Sequence, residues 1–239
     1  MSRRNELDAF YRLLGELRER VGGYRRLAEC DGRIQWPRCG VYYFFEDGEL
    51  REDGKSLRVV RVGTHALTAT SRTSLWTRLA QHRGNEKGRN VGGGNHRGSI
   101  FRLLVGDALL RSGRFADGAV PSWGKGNSAS REVRDGEVAL ERAVSEQIRS
   151  MPLLWIGLEE REPRAFIEQN SIALLSNYGR EPIDSASDSW LGRQSSRKEV
   201  SESGLWNVRN VNDDWNHLRL VELMKKSMTT DNGCAYRPT

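Results

Sequence analysis

The chain has 239 residues, of which 37% are hydrophobic and 29% charged, with a formal net charge of +6; that is long enough to bury a substantial core beneath a polar surface, and the basic balance fits a polyanionic partner or an ordinary Arg-rich surface. Three cysteines (Cys30, Cys39 and Cys234) without Cys-x-x-Cys spacing argue against a disulfide framework or a zinc site. No apolar run reaches the roughly 18–20 residues needed to cross a bilayer, and the opening Met-Ser-Arg-Arg-Asn-Glu-Leu-Asp has no apolar signal core, so the expectation is a cytoplasmic, reduced protein with no membrane partner.

Leu7, Phe10, Leu13, Leu14, Leu17 and Val21 recur at helical spacing, predicting a helix from about Asn5 to Val21 that Gly22-Gly23 ends. Pro37 precedes an aromatic strand, Val41 to Phe45, which a charged turn from Glu46 to Lys55 joins to a second strand, Leu57 to Val62, as a hairpin. A Thr/Ser-rich approach, Thr68 to Ser74, leads into a helix from about Ser74 to Arg83. Gly84 to Gly98 is a glycine-rich loop, and Ser99 to Leu110 reads equally as a helix or as a strand with a short helix. Ser112 to Ser130 reads as a long surface loop, Glu132 to Ile148 as a helix, Leu153 to Leu158 as a third strand and Arg164 to Asn177 as an apolar helix. The polar C-terminal segment has Trp190, Leu191, Leu205 and Trp206 as isolated anchors and a last helix from about Trp215 to Met224.

Two helices carry residues suited to chemistry. On the first, Arg78 and His82 lie one turn apart beside the Leu75/Leu79 stripe, as a solvated flank or as a guanidinium and imidazole lining a cleft. Arg offers a planar fork matched to a phosphate that gains charge in a transition state. On the second, Glu168 shares a side with Ile172 and Leu175. A carboxylate in packed surroundings needs a cation, either an arginine partner or a metal such as Mg²⁺, which takes one or two carboxylates and keeps several waters. Tyr42 on the first strand faces opposite to Val41 and Tyr43, and Gly63 ends the second strand where a ligand or neighbouring atoms can come close.

Gly40-Val41-Tyr42, then Arg61-Val62-Gly63, then Arg78 with His82, then Glu168 on a later apolar helix: this ordered set resembles the GIY-YIG nuclease superfamily over roughly Pro37 to Asn177. The resemblance implies an α/β fold with a small three-stranded antiparallel sheet flanked by helices. The helical N-terminal extension would be residues 1–36, the nuclease core 37–180 with an insertion at about 84–149, and the C-terminal extension 181–239. It implies a Mg²⁺- or Mn²⁺-dependent endonuclease hydrolysing phosphodiesters in DNA, with restriction, defence and repair roles all compatible. A nuclease of RNA and a catalytically inactive nucleic-acid-binding protein on the same fold are the alternatives, and the oligomeric state stays open, a dimer included. By the resemblance Tyr42 would help deprotonate the attacking water, Arg78 would stabilise the transition state, Glu168 would hold the metal, and His82 would orient Tyr42 or accept its proton. Arg61 stands where the family has a second tyrosine and would hold the scissile phosphate or water. Asn177, ahead of Asn170 and Asn207, would brace the site.

His65, directly after the second strand, is placed to line the same cleft. His96 and Arg97, in Gly92-Gly93-Gly94-Asn95-His96-Arg97-Gly98, read either as a flexible tip or as a phosphate-binding loop to which Arg97 and Arg102 add charge. Arg18, Arg20, Arg25 and Arg26 form a basic run that would track a nucleic-acid backbone or be a solvated face.

Overall fold

A computed structural model of the protein describes residues 1–65 and 73–229. Part of the predicted approach to the Arg78 helix, and Cys234, lie outside them. Four antiparallel strands form one sheet: β1 (Arg25–Arg26), β2 (Gly40–Leu50), β3 (Leu57–Thr64) and β4 (Pro152–Gly157), in the spatial order β1-β4-β2-β3. The expected three strands are the last three of these. The fourth is the two-residue β1, too short to leave a periodic signal, which pairs through Arg25 with Leu153 on β4.

β2 is longer than its aromatic run predicts. It continues to Leu50, so the hairpin closes through residues 51–56, where Asp53 Oδ1 accepts the backbone N–H groups of Lys55 and Ser56 at 2.8 Å each. This Asx-type turn, with Gly54 at φ +65°, replaces ladder bonds that the two strands can no longer exchange. The register slips between Phe44 and Phe45, whose partners are Arg61 and Val59; Val60 is the extra residue, a bulge that bends β3.

Both faces of the sheet are covered. On one, α1 (Arg3–Arg20), α6 (Arg161–Leu175) and α8 (His217–Thr229) bury Phe10, Leu14, Ile167, Leu174 and Leu220 against Val41, Tyr43 and Val62. On the other, α2 (Leu75–Arg83), α3 (Ile100–Arg111) and α5 (Val138–Arg149) pack Leu75, Leu79, Phe101, Leu104, Leu140 and Val144 against Tyr42, Phe44, Val60 and Trp155. The alternation of Val41, Tyr42, Tyr43 and Phe44 between the layers is the period-2 pleat, and a strand buried on both sides reads as continuous apolar sequence.

The ambiguous segment from Ser99 is α3, a helix apolar nearly all round because it runs through the second layer. Ser99 is its N-cap, accepting the N–H of Arg102. The single helix expected over Glu132 to Ile148 is two, α4 (Arg131–Gly136) and α5, parted at Gly136-Glu137. Helix α7 (Lys198–Ser203) ends at Gly204, whose φ of +76° is the left-handed conformation that favours glycine, and returns the chain to the free edge of β3.

Candidate active site

β3 is the outer strand on its side of the sheet, and an outer strand leaves backbone N–H and C=O groups unpaired. Three different groups cover them here. The N–H of Trp206 donates to Val60 C=O at 2.7 Å. Asn207 spans Val62, accepting its N–H at 3.1 Å and donating to its C=O at 2.9 Å. The N–H of Thr64 donates to Glu168 Oε1 at 3.1 Å. The end of the strand therefore fixes one oxygen of the Glu168 carboxylate, and α6 delivers that side chain to the rim where the two helical layers meet.

Around this rim the cationic side chains gather. Burial pushes the Glu168 carboxyl up from its usual value, while Arg61, the Thr64 N–H, Arg78 and Arg164 pull it down. Arg61 is buried; its guanidinium donates to the Trp206 carbonyl and lies 5.3 Å from the Phe101 ring centre. Burial lowers its pKa, the neighbouring Tyr42 and Glu168 raise it, and Arg78 lowers it again. Arg78 is half-buried on α2, with one nitrogen donating to Gln81 Oε1 and Gly98 C=O at 3.0 Å each. Among the described residues no acceptor engages its other nitrogens.

Behind the cations runs a buried polar chain. The Tyr42 hydroxyl lies 2.8 Å from His82 Nε2, and His82 Nδ1 lies 2.8 Å from Ser99 Oγ. Tyr42 is 1% exposed, His82 0% and Ser99 2%. Burial, then the charges of Arg78, Arg61 and Arg102, hold the His82 pKa well below the ordinary imidazole value, so the ring is neutral near pH 7. Phe44 and Phe101 pack edge-on around it. The helix backbone is fixed as well: Arg102 NH1 donates to the His82 carbonyl at 2.7 Å, while Nε and NH2 hold Glu141 Oε2 at 2.9 and 2.6 Å.

The structure thus brings Tyr42, Arg61, Arg78, His82 and Glu168 together. Gly63 is directly opposite Tyr42 in the β2–β3 ladder and leaves room for its ring rather than facing open solvent. His65 is close by: its Nε2 donates to Arg38 C=O at 3.0 Å, and burial, then Arg164 and Arg78, depress its pKa.

Three expected site residues are not brought here. Asn177 sits beyond the C-terminus of α6, where Oδ1 accepts from Arg3 and from the Ile183 N–H at 2.9 and 3.0 Å. Asn170 holds the Asn216 N–H, and Asn207 is bound to Val62 on the β3 edge. His96 and Arg97 do not form an open phosphate loop. His96 is stacked on Trp123 with ring centres 3.8 Å apart, Nδ1 on Glu141 and Nε2 accepting from Gly124. Arg97 makes a two-pronged ion pair with Glu137 at 2.6 and 2.8 Å. Arg102, expected to add surface charge, is fully buried. Gly94 passes so close to its guanidinium that a Cβ would lie 2.2 Å from its central carbon, so packing accounts for a glycine at this position.

Ser99 was not singled out by the sequence, although a serine directly before an apolar run is an N-cap signal that would have placed it. Among the described residues no three His, Cys, Asp or Glu side chains converge as a metal cluster. Glu168 is a lone carboxylate, with Oε1 held by Thr64 and no protein donor on Oε2 among the described residues.

A model of the GIY-YIG domain matches residues 1–232 of the chain. No curated protein matches it, and no solved structure does.

Proposed function

From the premise that this chain belongs to the GIY-YIG domain family, we propose that it is a divalent-metal-dependent endonuclease hydrolysing phosphodiester bonds in DNA. The observation that carries the reading is the meeting of Glu168, Arg61 and Arg78 at one rim, with the Tyr42–His82 pair directly behind Arg61. A carboxylate with one oxygen pinned and the other without a donor among the described residues fits Mg²⁺ or Mn²⁺, ions that need few protein ligands when water and substrate phosphate complete the shell. Bound there, the ion would supply positive charge to the departing 3′ oxygen.

The chain's own residues do the rest. Arg78, whose other guanidinium nitrogens meet no acceptor among the described residues, grips the scissile phosphate and stabilises the charge it gains as the water oxygen bonds to phosphorus. The attacking water gives a proton to the Tyr42 oxygen while Tyr42 passes its own to His82 Nε2 at 2.8 Å. A neutral imidazole can take it, whereas a phenol, which ordinarily ionises only near pH 10, gives its proton to bulk water poorly at neutral pH. The P–O3′ bond breaks and the leaving oxygen is protonated from solvent. Arg61, tied to Trp206, keeps a fixed positive charge beside the phenol and the phosphate seat.

The test is incubation of the purified protein with supercoiled plasmid, single-stranded DNA and RNA, in Mg²⁺, Mn²⁺ or EDTA. Metal-dependent DNA cleavage that disappears in Glu168→Ala and Arg78→Ala is the expected result. Cleavage of RNA alone would reassign the substrate, and binding without cleavage would turn the fold into a binding scaffold.

A further inference from the structure

A neutral imidazole carries one ring proton, so one nitrogen of His82 donates and the other accepts. Both have a hydroxyl partner at 2.8 Å, Tyr42 at Nε2 and Ser99 at Nδ1, and the chain of bonds can run in either direction. Arg61 breaks the symmetry. A guanidinium has donors and no acceptors, and this one is buried as the diagonal cross-strand neighbour of Tyr42, opposite Phe44 where Tyr42 is opposite Gly63, with its Nε making no hydrogen bond among the described residues. The phenol oxygen therefore offers Arg61 a lone pair and turns its proton towards Nε2. The ring proton is then left on Nδ1, pointing at Ser99 Oγ.

We propose that Ser99 is a positioning residue for the hydrolysis described above: it accepts the Nδ1–H of His82, fixes the ring in that tautomer, and so keeps Nε2 open to the proton of Tyr42. The consequence for turnover rests on the nuclease reading; the tautomer does not. Ser99 is suited to the task because α3 holds it rigidly. Its oxygen also accepts the Arg102 N–H at 3.3 Å as the helix N-cap, and the Arg102 side chain clamps the His82 carbonyl. The two ends of the Ser99–His82 contact are thus fixed by the same buried arginine, and with Phe44 and Phe101 flanking the imidazole the ring has no room to turn over.

Nitrogen-15 NMR of the full chain without added metal reads the tautomer directly, and with only four histidines a His82→Gln variant assigns the signal. The expected spectrum at pH 7 has a protonated, pyrrole-type Nδ1 and a pyridine-type Nε2. It should persist in Ser99→Thr, which keeps the hydroxyl, and collapse towards a mixture in Ser99→Ala. In the cleavage assay Ser99→Ala should lower kcat by roughly 10- to 100-fold at unchanged KM, with Ser99→Thr restoring it. Ser130→Ala removes an equivalent N-cap, that of α4, where Ser130 Oγ accepts from Val133, and should alter neither readout. A proton on Nε2 in the wild-type spectrum, or an unchanged tautomer in Ser99→Ala, overturns the proposal. The spectrum decides the tautomer even if the chain cleaves nothing, so failure of the nuclease reading remains a separate result.

Discussion

Gly63 and Tyr42 face each other across the β2–β3 ladder so closely that a Cβ on Gly63 would lie 2.4 Å from the Tyr42 hydroxyl oxygen and 2.5 Å from the ring carbon that bears it. The glycine is a matter of space, because the contact is with the end of a ring that strands and helices hold on every other side. Gly63→Ala should push the phenol off His82 and cost about 1–3 kcal/mol of stability, the usual range for overpacking. Urea denaturation beside a cleavage assay checks it: a protein of wild-type stability and full activity would mean that the ring yields freely.

Tyr42→Phe removes one oxygen and keeps the packing. Cleavage should fall by about 100-fold or more, the usual worth of a positioned proton-transfer group. Stability should drop by about 1–2 kcal/mol, because His82 Nε2 is left buried without a partner. Equal turnover in single-turnover kinetics would remove Tyr42 from the reaction.

The order of elements was legible because each carried a strong local signal: an unbroken aromatic run for β2, a helical stripe for α1, apolar runs for β4 and α6. What escaped was set by distant contacts. β1 exists only because Arg25 finds Leu153, and α3 is undecided from its sequence because burial all round erases helical periodicity. At the site, the order Tyr42, Arg78, Glu168 along the chain pointed to three residues that the fold sets around the buried Arg61 of β3. His96 and Arg97 misled for a physical reason. Glycine next to basic residues signals a phosphate loop only if the backbone is open, and here Gly94 makes way for the Arg102 guanidinium. Asn177 and Ser99 show the same limit, because which side chain meets which depends on how layers pack, and spacing along the chain does not encode it.

The depressed histidines predict a pH dependence of stability. His82 and His65 both titrate lower in the folded chain than the unfolded value of about 6.5. Below that pH the unfolded chain binds protons that the folded one refuses, so their contribution is complete above about pH 6.5 and is lost as pH falls towards the folded values, by up to about 1.4 kcal/mol per pH unit for each group. Glu168, raised by burial, acts with the opposite sign: its folded carboxyl takes a proton before the unfolded one does, which favours the fold as pH falls through the folded pKa. Denaturation midpoints between pH 5 and 7 should therefore decline on acidification in the wild type and decline less in His82→Gln. Parallel curves would place the proton uptake elsewhere.

Glu168→Gln keeps an oxygen to accept the Thr64 N–H and removes the negative charge. Mn²⁺ binding by calorimetry should vanish with the fold intact, and cleavage should vanish with it. In the wild type the affinity for the ion should weaken as acidification protonates the carboxyl, whose pKa burial raises. Undiminished Mn²⁺ binding by the Gln variant would move the metal away from α6.

Affinity for DNA should fall as salt rises, because a chain of net charge +6 binds phosphates by releasing counterions. The basic run near the N-terminus has limited freedom to contribute, since Arg20 donates to Met228 C=O and Arg26 pairs with Asp47 at 2.8 Å. Arg78 is different, with nitrogens that meet no acceptor among the described residues, at the rim beside Glu168. Arg78→Ala should lower the slope of log affinity against log salt by about one phosphate contact, while its effect on kcat should exceed its effect on binding. Fluorescence anisotropy titrations from about 50 to 200 mM salt, the range over which phosphate contacts respond steeply, measure the slope. If Arg78→Ala leaves it unchanged, the guanidinium does not touch the DNA backbone, and the loss of its charge must be read through Glu168 alone.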